Sequence, residues 1–197
     1  MHLDSNTAVI DNDFIGHVTD SHLTDDTLSK TLSVIFSELG LFVVVHPLVY
    51  DNEVQQEKPR IQLLFQKKLL SVADFSDIFL NDPDRKAYYL YLVKELYHGL
   101  YGRCFPFCDE EILTRWIRRQ SLGEIHSISM CLVCKSGIFL SDDGDARRLK
   151  SFIERKSMGS ISIYNRSELV DRHMQEGITK IPRLERKSLT HIAKNST

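Results

Sequence analysis

The sequence has no excess of positive charge and no long apolar run, and each absence narrows what the chain can do. Its 25 Lys and Arg are outweighed by 27 Asp and Glu, for a formal net charge of -2. Nothing in the overall charge advertises nucleic-acid binding, so any contact with RNA must be local. No apolar stretch nears the roughly 18 residues that a spanning helix needs. The opening Met1-His2-Leu3-Asp4-Ser5-Asn6 lacks the basic and apolar regions of a secretion signal. A cytoplasmic protein with no membrane partner is expected. Internal repeats and low-complexity linkers are also missing. Cysteine is scarce, with four residues arranged as Cys104-x3-Cys108 and Cys131-x2-Cys134. Such pairs invite a zinc reading. The second pair, however, falls in a stretch with helical spacing and lacks the turn glycines of a zinc knuckle. Buried free thiols in a reducing compartment are the expectation.

A length of 197 residues with 42% hydrophobic content suits a single domain with a real core. Charge is spread unevenly along it. Residues 1–30 carry Asp4, Asp11, Asp13, Asp20, Asp25 and Asp26 against Lys30 alone, whereas residues 180–197 carry Lys180, Arg183, Arg186, Lys187 and Lys194 against Glu185. The basic end has the chemistry to hold phosphate. It equally suits a solvated terminal helix whose cations favour the negative end of its dipole.

Thr7-Ala8-Val9-Ile10 reads as a buried strand that stops abruptly on Asp11-Asn12-Asp13. A helix is predicted over 27–39, stopped by Gly40, then a strand over 41–45 whose continuous β-branched character suits burial on both faces. Leu48 to Gln56 reads as a helix start, and 61–79 fits helix and strand equally. Helical spacing marks 83–100, 109–119 and 122–135. Residues 137–140 form a short strand running straight into Ser141-Asp142-Asp143-Gly144-Asp145. A helix over 146–155, a weaker strand over 160–164 and helices over 168–175 and 182–193 complete the chain. The recurring strand-helix order predicts an α/β domain with a mainly parallel sheet. In such sheets the functional crevice lies beyond the C-terminal strand ends, and both acidic bursts fall there.

Adjacent carboxylates at buried strand ends repel one another, and each raises the other's pKa. A divalent cation is the economical compensation, because Mg²⁺ or Mn²⁺ takes oxygen ligands and can activate water against a phosphodiester. Each acidic residue also has a structural reading. Asp11 suits the cap of a short helix, Asp142 and Asp143 precede another, and Asp145 favours its dipole. Ser121-Leu122-Gly123-Glu124 has the form of a capping box. Three acidic groups at sites expected to converge favour the metal site over separate caps.

The same residues resemble a known family. Ala8-Val9-Ile10-Asp11-Asn12-Asp13-Phe14-Ile15 is similar to the opening strand of PIN-domain nucleases. Leu122-Gly123-Glu124 followed by Gly137-Ile138-Phe139-Leu140-Ser141-Asp142-Asp143 resembles the Gly-Glu helix and Asp-Asp ending of one branch, that of toxin-like ribonucleases. The resemblance implies a three-layer α/β fold, one or two Mg²⁺ or Mn²⁺ ions, and endonucleolytic cleavage of RNA. Carried onto this sequence it makes Asp11 the first metal ligand, Glu124 the helix carboxylate, and Asp142 or Asp143 the last acidic position, with Asp145 assisting. Asp13 falls where the family often has Asn or Ser and is expected to support the first aspartate. The family's remaining acidic residue corresponds to Asp51 or Glu53. His46 reads as a strand-end residue satisfied by backbone, and His126, two residues after Glu124, as pointing elsewhere. Many small members are toxins held by an antitoxin, so that partner and a homodimer are also implied.

The stretch 61–119 exceeds the helical pair that minimal members carry and reads as a helical insertion in a single domain spanning 1–197. Its Arg115, Trp116, Arg118 and Arg119 have the chemistry of an RNA groove, against the plainer reading of a core tryptophan among solvated arginines. Arg147 and Arg148, with Lys150, stand better to meet a phosphate at the metal. Two other readings are open. A haloacid-dehalogenase-type phosphatase also uses Asp-x-Asp after its first strand, but it gives Glu124 no role. A catalytically silent PIN-like binding or regulatory module needs no metal at all.

Overall fold

The structure is a computed structural model that describes Leu3, residues 5–117 and residues 121–191. In chain order the first half runs β1 (Thr7–Ile10), α1 (Asn12–Thr19), α2 (Asp25–Glu38), β2 (Phe42–Val45), α3 (Pro47–Asn52), α4 (Pro59–Gln66), β3 (Ser71–Val72) and α5 (Phe75–Phe79). The second half runs α6 (Pro83–Tyr101), α7 (Asp109–Ile112), α8 (Leu122–Cys134), β4 (Ile138–Leu140), α9 (Gly144–Lys156), β5 (Ser162–Tyr164), α10 (Arg166–Glu176) and α11 (Arg183–Thr190).

The strands form one five-stranded sheet in the order β3-β2-β1-β4-β5. Every pairing is parallel, so the expectation of a mainly parallel sheet is met in full. Side chains alternate across a strand, and the alternation divides the core in two. Val9, Val44, Phe139 and Ile163 enter a cluster with the apolar faces of α6, α8 and α9. Ala8, Ile10, Val43, Val45 and Leu140 enter the opposite cluster with α1, α2, α4 and α10. A sheet with helices covering both faces is a three-layer α/β architecture. The chain leaves β1 toward β2 on one side and returns to β4 on the other. The strand order therefore switches direction between β1 and β4, which opens a crevice beyond their carboxyl ends.

The stretch 61–119 is not a helical excursion. It supplies the edge strand β3, which pairs with β2 through Val44–Ser71 and Val45–Val72. It also supplies α6, whose Tyr89, Leu92, Val93, Leu96 and Tyr97 are buried in the core. The helix expected over 109–119 closes after one turn at Ile112. Trp116 beyond it packs against both core clusters and lies over the His126 ring at 5.9 Å. This favours the core reading of the tryptophan over a base platform. Arg115 pairs with Glu111 at 2.9 Å, while Arg118 and Arg119 lie outside the described residues, as do Ala193 at the end of the last expected helix and Lys194 beyond it. The four cysteines are free, with Cys131 and Cys134 buried as expected and Cys104 and Cys108 exposed.

Candidate active site

The crevice between β1 and β4 is where the acidic residues meet. Asp11 follows β1 directly, is 2% exposed, and caps α1 by accepting the Asn12 N–H at Oδ1, 2.7 Å away. Its other oxygen, Oδ2, accepts the Ser141 hydroxyl at 3.1 Å. The same Ser141 oxygen accepts the Asp143 N–H at 3.1 Å, so one hydroxyl ties the end of β4 to the end of β1. Ser141 is a site residue that sequence reasoning passed over. Its only signal was a hydroxyl at a strand end in front of a paired aspartate.

Glu124 stands in the first turn of α8 and is 8% exposed. The capping box does not form. The Ser121 N–H donates to the Tyr101 hydroxyl at 2.8 Å, and the Ser121 hydroxyl donates to Asp145 at 2.7 Å. Glu124 is thus left to the crevice. Burial raises its pKa well above the carboxylate range, and the neighbouring Asp11 charge raises it further. Asp11 is raised for the same first reason, burial, and then by Asp13 and Glu53. Glu53 is pushed up to about 7, by burial and then by Glu124 and Asp13. Asp13, on the solvent side, is raised by partial burial and by Asp143, with His17 opposing. The carboxylates of Asp11, Asp13, Glu53 and Glu124 therefore feel one another's charge, and those of Asp142 and Asp143 act on members of the group from the end of β4. Among the described residues no Lys or Arg is found in the groups acting on Asp11, Glu53 or Glu124.

The open choice between Asp51 and Glu53 resolves on geometry. Asp51 lies exposed on α3, whereas Glu53 caps that helix and turns inward. The Glu53 carboxylate comes so close to α8 that a Cβ built on Gly123 would stand 2.8 Å from its Oε2. Of the pair it is Glu53, and not Asp51, that the fold brings beside α8 and Glu124. Gly123→Ala should leave the fold intact, since alanine is the better helix former by about 1 kcal/mol and only a flexible carboxylate must move. That movement separates Glu53 from Glu124, and calorimetric titration with Mn²⁺ should show about a tenfold loss of affinity, the cost usual for a disturbed supporting group. Unchanged affinity would remove Glu53 from the site.

Asp142 and Asp145 are engaged elsewhere. Asp142 accepts from the backbone N–H of Arg166 at 3.1 Å, from its Nε at 2.5 Å, and from His17 Nδ1 at 2.8 Å. Asp145 holds Ser121 and pairs with Arg148 at 2.8 Å. Asp142 is thereby held by a buried cation and Asp145 by Ser121 and Arg148, although the Asp142 charge still acts on Asp13 at the rim of the crevice. Asp143 caps α9 through Oδ1, 2.7 Å from the Asp145 N–H, and its charge acts on Asp13 and Glu124. Of the two paired aspartates it is the one whose charge reaches Glu124, whereas the Asp142 charge acts on Asp13 alone of these groups. Arg147 pairs with Glu168 at 2.7 Å across the surface. Exposed pairs such as this and Arg148–Asp145 contribute only about 0–1 kcal/mol, so either guanidinium can exchange its partner for a phosphate.

Behind the carboxylates runs a buried polar chain. The Leu48 N–H donates to His46 Nδ1 at 3.1 Å, which leaves the proton on Nε2 to meet the Tyr89 hydroxyl at 2.8 Å. Tyr89 in turn donates to His126 Nδ1 at 2.7 Å. Burial lowers the pKa of His46 well below its usual value and that of His126 to about 3, so both rings are neutral. The chain joins the end of β2, and hence α3 with Glu53, to α6 and to α8 with Glu124. It fixes the spacing of two crevice carboxylates without entering the crevice.

The residues fit a divalent cation by donor chemistry: hard oxygen ligands, charge that no Lys or Arg of the described residues offsets, and two of the carboxylates nearly dry. They do not yet form a ligand cage, since among the described residues no three acidic, histidine or cysteine side chains stand ready to hold a metal ion. In comparisons with known proteins, no family model, no curated protein and no solved structure matches the chain. No helix among the described residues is long and apolar enough to cross a membrane. What fold and site define is a five-stranded all-parallel α/β protein with a carboxylate crevice at its topological switch point.

Proposed function

We propose that the crevice is the active site of a divalent-metal-dependent endoribonuclease. The observation that carries this reading is the convergence of Asp11, Glu53, Glu124 and Asp143 at the switch point with no Lys or Arg of the described residues among the groups acting on Asp11, Glu53 or Glu124. Structural carboxylates of this burial ordinarily find an arginine or lysine partner, as Asp142 does. A bound Mg²⁺ or Mn²⁺ would offset charge on a phosphodiester and make water a better nucleophile.

The protein's own part is orientation and proton transfer. Asp11 is held at both oxygens, by Asn12 and by Ser141, so it presents a fixed ligand edge. Asp143 is held at one oxygen by its cap, which leaves the other to face the crevice. Glu53, with a pKa of about 7, can accept a proton from attacking water near neutral pH and release it afterward. Arg147 and Arg148 stand one helical turn past Asp143 on α9, within the segment that would meet the substrate's phosphates.

Purified protein should cleave single-stranded or loop RNA in Mn²⁺, and EDTA should stop it. Asp143→Asn should cut the rate at least about 100-fold, since even supporting groups around metals cost 10- to 100-fold. Asp142→Asn should retain Mn²⁺ binding and lose thermal stability instead. Full cleavage in EDTA, or equal loss of Mn²⁺ binding in the two variants, would overturn this assignment.

A further inference from the structure

A second concavity adjoins the carboxylates, and the cleavage reaction as stated gives it no task. It is a cavity of about 210 Å³ whose walls include Asn12, Asp13, Gly16, His17, Gln55 and Lys58. Asp13 belongs both to this cavity and to the carboxylate cluster, so whatever sits here adjoins the reacting centre.

Gly16 is the most telling wall residue. It lies in the middle of α1, where glycine costs about 1 kcal/mol relative to alanine. Its backbone is not in the left-handed region, and a Cβ built on it would meet nothing within 4 Å. Neither conformation nor packing requires glycine there. What a side chain would fill is the cavity itself.

The polar walls define the occupant. Neither the Asn12 nor the Gln55 side-chain amide has a partner among the described residues. Each offers a donor and an acceptor together, the pattern that reads the edge of a nucleobase. Lys58 pairs with Asp20 at a loose 3.7 Å, with both side chains more than a third exposed. Such a pair is screened by water, and its ammonium is free to turn to a phosphate. Asp13 opposes a phosphate inside, so a nucleotide enters base first with its phosphate at the Lys58 side. The volume is below that of pockets for drug-sized ligands and admits one base rather than a paired duplex.

We infer that this cavity seats the base of one unpaired nucleotide next to the scissile phosphate, which makes the substrate single-stranded or looped RNA. The inference rests on the ribonuclease reading, and the experiment separates the two. Gly16→Leu fills the cavity from a position with open space around it, and Gly16→Ala adds only a methyl group on a better helix former. A fluorescently labelled single-stranded RNA of mixed sequence is titrated by anisotropy in Ca²⁺, its cleavage is followed in Mn²⁺, and Mn²⁺ binding is measured by calorimetry.

Gly16→Leu is expected to weaken RNA binding and raise KM about 10- to 100-fold, the range for losing one seated base. Its Mn²⁺ affinity should match the wild type, Gly16→Ala should fall between, and Gln55→Ala should follow Gly16→Leu in direction. Wild-type RNA affinity in Gly16→Leu overturns the base site and leaves the nuclease reading standing. Wild-type protein that binds RNA without cutting it overturns the nuclease reading, and the variant's affinity still decides the base site. Wild-type protein that binds neither Mn²⁺ nor RNA ends both. A duplex of the same sequence bound as tightly as the single strand also overturns the inference.

Discussion

Between about pH 7 and pH 8.5 the metal-free protein should lose thermal stability, Asp11→Asn should gain it back, and Mn²⁺ should stabilise the wild type increasingly as pH rises. In the unfolded chain these carboxyls titrate near pH 4. In the folded chain Glu53 is held at about 7, and Asp11 and Glu124 are raised by burial and by each other. The native state therefore binds more protons than the unfolded state in this window. The stability these groups carry is complete below about pH 4 and is lost as pH climbs through their folded values. The buried imidazoles act in the opposite sense but lower down. His46 and His126 have depressed pKa values, so their contribution grows with pH only up to the unfolded imidazole value of about 6.5. Three raised carboxyls outnumber two depressed imidazoles, so stability should already decline between about pH 4.5 and 6.5 and decline more steeply above it. Asn at position 11 keeps an acceptor for the Asn12 N–H, offers its amide N–H to the Ser141 oxygen in place of the second acceptor, and removes one buried negative charge. Melting at pH 8 should rise by on the order of 5 °C, because each kcal/mol moves Tm about 2–4 °C in a chain of this length. The same variant should lose the Mn²⁺ response and RNA cleavage. A melting temperature that climbs from pH 7 to 8.5 in EDTA, or one that Mn²⁺ leaves unmoved, would sink the metal site.

The contrast between what could and could not be read from the chain follows from the range of the interactions involved. β1, β2 and β4 were legible because a buried parallel strand is a continuous apolar run, and Asp11 and Asp143 were legible because each run ends on them. β3 was not, since two residues, Ser71 and Val72, leave no periodicity and are made a strand only by β2 beside them. That is why 61–79 reads ambiguously and resolves into helix, strand and helix. Asp51 and Glu53 differ by two positions on a single-turn helix, and only the approach of Gly123 from α8 decides between them. The Ser121-Glu124 capping box was locally sound. It gave way to bonds from Tyr101 and Asp145, each 20 or more residues distant. Local rules failed where long-range partners outbid them, and the failures cluster around the crevice.

The largest loss of stability should come from Arg166→Ala. Arg166 is the first residue of α10, and its side chain is 5% exposed. Its Nε is bonded to Asp142, and one terminal nitrogen donates to the carbonyls of Leu189 at 3.0 Å and His191 at 3.3 Å. One guanidinium thus clasps the loop after β4 to the end of α11. Truncation leaves a nearly buried Asp142 with only its backbone contact and His17, and strips two carbonyls of their donor. Breaking one side of such a pair costs about 3–5 kcal/mol, or on the order of 10 °C in Tm. Arg166→Lys should recover part of this, because an ammonium restores the charge but cannot reach aspartate and carbonyls through one planar fork. Trypsin should then cut earliest at Arg183, Arg186 and Lys187 on the released α11. The sign is opposite to that of Asp11→Asn although the two aspartates involved lie on adjacent loops. Asp142 is stabilised by a cation that the chain supplies, and Asp11 has none among the described residues. If Arg166→Ala melted with the wild type while Asp11→Asn still rose, Asp142 would lose its structural role and return to the crevice as a candidate ligand.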